Sequence, residues 1–323
     1  MGAPGWRFGA APRAQAPRPS GKATRIRPSF AARARHCLRL AAAAAALLPA
    51  RGLPGQEGRT PPAVCIIGAM AGEIRPIREE MRDAVERRIM GIVFYDGRLR
   101  GARVVVAESG VGKVNAAMAT TLAIEHFHPR GIIFTGTAGG LNPALRPGDV
   151  VVGTRLVHHD LGDCTPAGFV PWGAKNPVDG KRNPVFFDAD PSLVAAVEMA
   201  SRPAGPPPPD APAPGGGPAV VKGVIATGDA FIRSAARGAE IRKQFGADAV
   251  EMEGAAGAQI CRQHGVPFVA IRAVSDNPGW RAAFSAQPFF NKAAANSAAL
   301  VVRTVEILER AAADRDSRPG RLP

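Results

Sequence analysis

The sequence predicts an α/β fold, a single domain in which a sheet is covered by helices on both faces. Three observations lead there. Strand-like runs alternate with helix-like runs from Ala63 onward, several of the strand-like runs are wholly apolar, and short motif-like stretches follow them at regular points. Wholly apolar strands are the mark of a sheet buried on both sides, and ligands of such sheets bind beyond the carboxyl ends of the strands.

The elements follow in order. "AVCIIGAM" is a short apolar strand ending at Gly68, and a helix-like segment runs from about Glu73 to Glu86. "IMGIVFYDGRLRGARVVVAESG" gives two β-rich runs, with Asp96-Gly97 expected as the turn of a hairpin. "KVNAAMATTLAIEHF" has helical spacing and stops before Pro129. "GIIFTG" is a buried strand expected to enter a Gly-rich turn, Thr135 to Gly140. Later strands are predicted at Asp149 to Gly153, Val220 to Ala226 and Phe268 to Ala273, with helices at about 254–264 and 289–310. Residues 203–218, "PAGPPPPDAPAPGGGP", cannot form a core element and are expected as an exposed loop within the domain. The domain therefore spans 63–310, followed by a tail at 311–323.

The net charge of +14 suggests a polyanion partner until it is divided along the chain. Residues 1–62 carry eleven Arg and Lys against Glu57 alone, a net of +10, which leaves +4 for the rest. The basic excess belongs to an Ala/Pro-rich leader and says little about the folded part, so nucleic acid is not an expected partner. Within that leader, basic residues from Arg33 to Arg39 precede a nine-residue apolar run, Leu40 to Leu48. The run is too short to span a membrane, which takes about 20 residues, but it fits the hydrophobic region of a secretory signal. A periplasmic or secreted location follows if the leader is an export signal, and a cytoplasmic one if it is an Ala-rich extension. The four cysteines, Cys37, Cys65, Cys164 and Cys261, have no metal-binding spacing, and removal of the leader would leave an odd number.

Several stretches invite a motif reading. "ESGVGK" lacks the first glycine of a phosphate loop, where Ala107 stands, and its hydroxyl residue, where Val114 stands. "TGTAGG" lacks dinucleotide-fingerprint spacing. His158 and His159 are adjacent on a strand and so face opposite ways, which argues against a shared metal. No metal or organic cofactor is expected. "AVEMEGAA" sets Glu251 and Glu253 one residue apart just before a helix. Acids in a first helical turn interact favourably with its dipole by about 0.3–1 kcal/mol, so the pair alone does not require chemistry.

The ordered set does. "IIGAMAGEI", "SGVGKVNAA", "TGTAGGL" with "GDVVVG", "ATGDAFI", "VEMEGAA" and "VPFVAIRAVSD" resemble, in that order, the bacterial 5′-methylthioadenosine/S-adenosylhomocysteine nucleosidases of the nucleoside phosphorylase superfamily. The resemblance covers about Ala63 to Arg310. It implies a three-layer α/β/α domain with a twisted central mixed sheet of the nucleoside phosphorylase type, and a homodimer. It also implies that Asp276 protonates adenine N7 and that Glu73 orients and deprotonates the attacking water. Glu253 would grip the ribose hydroxyls with Met252 beneath the sugar, while Glu251 is a nearby acid of less defined role. Phe231 and Ile232 match the adenine platform, Ser275 a residue supporting Asp276, and Thr137-Ala138-Gly139 the turn lining the sugar and water pocket.

These residue types suit the reaction. Breaking an N-glycosidic bond builds positive charge on the sugar and sends electrons into the purine, so a proton must reach the base and anions must face the sugar. Phosphorylases of the superfamily hold phosphate with arginines; here Gly72 and Phe134 occupy the corresponding positions, which favours water, though Arg75 lies close by. A nucleoside-binding protein without activity is a further reading. Three departures from the family pattern, in "GAMAGE", "HHDLGDCTPAGFVPWG" and "NPGWRAAFSAQPFF", fall where the 5′ substituent is read and leave its identity open.

Overall fold

The computed structural model of the chain describes residues 63–202, 217–276 and 287–316. The leader at 1–62 and most of the Pro/Gly-rich loop at 203–218 lie outside the described residues. At the centre, β1 (Val64–Gly68) is buried along its whole length. It pairs in parallel with β4 (Ala102–Glu108) on one side and β5 (Gly131–Gly140) on the other. That double burial is why its run is apolar without alternation. Beyond β4 the sheet continues antiparallel through β3 (Ile92–Leu99) to the edge strand β2 (Arg82–Ile89).

This meander corrects two expectations. The helix after β1, α1 (Ala71–Glu80), ends six residues earlier than predicted, and the charged run that follows is strand β2. Its residues have ordinary helix propensity, but antiparallel pairing with β3 overrides that weak preference. The turns lie at Met90-Gly91 and Arg100-Gly101, where both residues have positive φ (47° and 89°; 51° and 88°), as the tight hairpin turns require. Asp96-Gly97 instead sits in the middle of β3. Asp96 forms an ion pair with Arg103 across the strands, and a Cβ on Gly97 would come 2.8 Å from the Arg82 carbonyl at a bulge in β2.

On the other side of β5 come β12 (Phe268–Asp276), β6 (Val150–His158), β10 (Val220–Thr227) and β11 (Ala249–Glu251). β11 also pairs antiparallel with the end of β5, Val250 opposite Gly139, so this half of the sheet closes on itself. Here the expected Gly-rich turn is corrected. Thr135 to Gly140 stays in strand conformation, with Thr135 to Gly139 paired to β12 along one edge and Gly139 and Gly140 paired to β11 along the other. Small residues let the strand serve two partners. A Cβ on Gly136, whose φ is +151°, would overlap the side chains of Arg272 and Glu73.

Helices α2 (Lys113–Phe127) and α5 (Gly254–His264) pack together on one face over Phe134, Cys65 and Phe268. On the opposite face α1, α3 (Pro191–Ser201) and α6 (Gln287–Asp316) cover Ile66, Ile133 and Ile271. The three layers and the mixed sheet match the fold that the resemblance implies. Two helices add to the predicted set. α3 starts on Asp190, whose carboxylate accepts from the amides of Ser192 and Leu193, with Pro191 in the first turn. α4 (Ala235–Phe245) is capped by Ser234 and buries Ile241 and Phe245. Finally, α6 runs to Asp316, six residues past the predicted domain limit at Arg310.

Candidate active site

The site forms where β5, β11 and β12 converge with the chain leaving β1. A cavity of about 180 Å³ opens there, lined by Met70, Glu73, Thr137, Ala138, Gly139, Phe231, Ile232, Glu251, Met252, Glu253 and Ser275, with Ala69, Val111, Ala230 and Val250 completing the wall. Ten residues singled out in the sequence therefore meet around one space. Asp276, the eleventh, closes β12 opposite Gly139 beyond a bulge that follows Val274; its side chain lies outside the described residues.

Glu73 belongs to the first turn of α1 and is fully buried. One carboxylate oxygen accepts from the amides of Ala69 (2.9 Å) and Met70 (3.1 Å), the other from the amide (2.8 Å) and hydroxyl (3.1 Å) of Thr137. The residue is thus both a helix-capping acid and a wall of the cavity. Four donors aimed at one buried carboxylate hold it in one orientation.

The two acids of β11 and the following turn divide their roles. Glu251 is saturated. Its carboxylate accepts from the Thr227 hydroxyl, from the amides of Glu253 (3.0 Å) and Gly254 (2.7 Å), and from Arg272. Those amides open α5, so Glu251 caps that helix. Glu253 is held more lightly, by the Gly112 amide at the start of α2 (2.7 Å) and by Arg272 at 3.4 Å. Burial, then the nearby charge of Glu251, push the Glu253 carboxyl up to about 7 against the opposing pull of Arg272.

Arg272 is the residue that sequence reasoning missed. It is fully buried on β12, donating to Glu251, Glu253 and the Thr135 carbonyl (3.0 Å), with its guanidinium 5.3 Å from the centre of the Phe134 ring. The signal was present as the lone cation in the apolar run "VPFVAIRAV". A buried arginine needs carboxylate partners, and the sequence held two of them in "VEME".

Phe231 and Ile232 lie on the irregular segment between β10 and α4. Phe231 is 64% exposed, an aromatic face open to the cavity mouth, with the Arg233 guanidinium 5.5 Å from its ring centre. Ser275 donates to the Ala138 carbonyl at 3.4 Å. His158 is packed away from the cavity. It contacts Gln259 at 3.3 Å and sets its ring edge-on to Phe187, and burial, then the charge of Lys113, lower its pKa to about 4. Cys65 and Cys261 are buried thiols that desolvation pushes up, while Cys164 is exposed on β7 (Gly162–Thr165).

Fold and site together define a class, the Phosphorylase superfamily, whose family model matches residues 63–306. Closer relatives narrow it. The 5′-methylthioadenosine/S-adenosylhomocysteine nucleosidase of Anoxybacillus flavithermus is 42% identical over 248 residues, covering 76% of this chain and 99% of the relative. The crystal structure of the Neisseria meningitidis nucleosidase in complex with methylthio-immucillin-A is 42% identical, with a TM-score of 0.65 over 76% of this chain and 99% of that one. The Colwellia psychrerythraea nucleosidase in complex with adenine is 35% identical, with a TM-score of 0.66 over 76% and 95%. The chain belongs to the 5′-methylthioadenosine/S-adenosylhomocysteine nucleosidase family.

Proposed function

We propose that this chain hydrolyses the N-glycosidic bond of 5′-methylthioadenosine and S-adenosylhomocysteine, releasing adenine and the 5′-substituted ribose. The bond from C1′ to N9 breaks with its electron pair passing into the purine, Asp276 supplies a proton at N7, and water adds to C1′ after giving a proton to Glu73. Glu253 accepts from the ribose hydroxyls and places negative charge beside the cationic sugar. Anions fixed in advance in a water-poor cavity stabilise such a charge far better than mobile solvent does.

The observation that carries this reading is the sign of the cavity wall. Three carboxylates line it, and among the described residues no lysine or arginine does. Arg272 is turned to Glu251, Glu253 and the Thr135 carbonyl. Arg75, the cation that kept phosphorolysis open, is 65% exposed on α1 beside Glu79 at 3.9 Å. A wall of that charge suits a neutral water and repels phosphate. Adenine release should therefore be independent of added phosphate for both nucleosides; recovery of a sugar 1-phosphate would overturn the assignment. A panel including 5′-deoxyadenosine and an aminodeoxyfutalosine-type nucleoside ranks the 5′ substituents.

We also infer a homodimer. The exposed side chains of Val114 and Met118 lie one turn apart on α2, with exposed Val111 just before it and Phe231 at the cavity mouth. Sedimentation at micromolar concentration should give twice the chain mass, and a monomer would refute it. Export of the mature protein is tested by mass-spectrometric mapping of its N-terminus.

A further inference from the structure

Helix α2 begins without a cap from its own sequence: Gly112 precedes it, and no acid stands in its first turn. Two other segments supply the missing acceptors. The Gly112 amide donates to Glu253, and the next amide, that of Lys113, donates to Asp229 at 2.8 Å. Glu253 belongs to the sugar side of the cavity. Asp229 stands one residue before Ala230, Phe231 and Ile232, which form another part of its wall.

The Lys113 side chain closes a ring around this junction. Its ammonium lies 2.7 Å from one oxygen of Asp160 and 3.6 Å from Asp229, while the other oxygen of Asp160 accepts from the Asp229 amide at 2.9 Å. Just upstream, the Gly228 amide donates to the Glu251 carbonyl. Any Cβ on Gly228 would overlap the buried ring of His159. The segment thus leaves β10 along one path and is fastened at Asp229; beyond it, residues 230–233 have no regular structure before Ser234 caps α4.

Resting on the nucleosidase reading, we propose that Lys113 is a positioning residue. By bridging Asp160 and Asp229 it holds the segment bearing Phe231 and Ile232 on the first turn of α2, so that the base-facing wall and the Gly112–Glu253 contact keep one fixed spacing. Lys113 itself does not line the cavity, and its loss should weaken binding more than the chemical step.

The test compares Lys113→Met, Lys113→Arg and Asp160→Asn with the unsubstituted protein. Lys113→Met should raise KM for 5′-methylthioadenosine about tenfold with kcat lowered less than about threefold, and weaken binding of adenine, used as a probe, to a similar degree. Amide hydrogen exchange at 229–233 should quicken by about tenfold while β1 and β5 keep their protection. Lys113→Arg should recover most of the loss, and Lys113→Met with Asp160→Asn should cost little more than either alone. Unchanged KM and adenine affinity, additive losses, or exchange that quickens throughout the fold would overturn the proposal. Turnover by the unsubstituted protein tests the nucleosidase reading by itself, and the exchange measurement tests the clamp whether or not turnover is seen.

Discussion

Asp96 and Arg103 face each other across β3 and β4, joined by two hydrogen bonds of 2.8 and 3.0 Å, with neither side chain more than 19% exposed. At the closed half of the sheet, Arg272 faces both Glu251 and Glu253, and Glu73 stands close enough to raise the Glu253 carboxyl further. The Asp96–Arg103 pair sets one cation against one carboxylate, and the rim sets one cation against two. A balanced pair fixes register and leaves nothing over for chemistry. A surplus of buried carboxylate is costly, and it persists at the rim because the same groups cap α1 and α5 and face a cavity in which a cationic sugar would complete the balance.

The largest effect expected from disturbing this contrast is at Glu73. Glu73→Gln removes the base while keeping its size, and turnover should fall by about 10²- to 10⁴-fold, the usual worth of one positioned base. Single-turnover adenine release at saturating nucleoside reads it. Next comes Arg272→Met, which strands two buried carboxylates and should cost about 3–5 kcal/mol, lowering the melting temperature by about 10 °C. Arg103→Met, which leaves only the single, 14% exposed carboxylate of Asp96 without this partner, should cost less, about 1–3 kcal/mol. Equal losses at the two sites would erase the distinction between them.

Acid sharpens the contrast in a subtler way. Glu253 is raised to about 7, so the folded chain takes up that proton before the unfolded chain does, and this term stabilises as pH falls from 7 toward 4.5. His158 is lowered to about 4, so the unfolded chain takes up its proton first, and this term destabilises between pH 6.5 and 4. Each is worth roughly 3 kcal/mol, and they oppose one another. Denaturant titrations from pH 7.5 to 4.5 should show a steep loss on acidification in Glu253→Gln and a gain in His158→Phe. Parallel curves would remove the buried surplus from the rim.

Much of this arrangement was legible in the residues because its physical causes are local. β1 and β12 announced themselves as apolar runs, since both of their faces are covered, and the acids of "GAMAGE" and "VEME" stood at strand ends where a sheet of this type binds ligands. What stayed hidden depends on partners distant in sequence. Asp96-Gly97 carries a turn signature, yet Arg103 and the bulge of β2 make it strand. "TGTAGG" has the composition of a turn, but two neighbouring strands hold it extended. Arg272 was one letter in an apolar run until folding set it against Glu251 and Glu253. Lys113 stood in a rejected phosphate-loop motif, and only the approach of Asp160 and Asp229 gives it work.

The most direct measurement of the acid surplus at the rim is the pH dependence of kcat/KM for 5′-methylthioadenosine in the unsubstituted protein and in Glu253→Gln. With the surplus in place, kcat/KM rises with pH along a limb whose apparent pKa is near 7, and that limb vanishes in Glu253→Gln. A limb that survives the substitution unchanged, or a profile already flat through pH 7 in the unsubstituted protein, would contradict it.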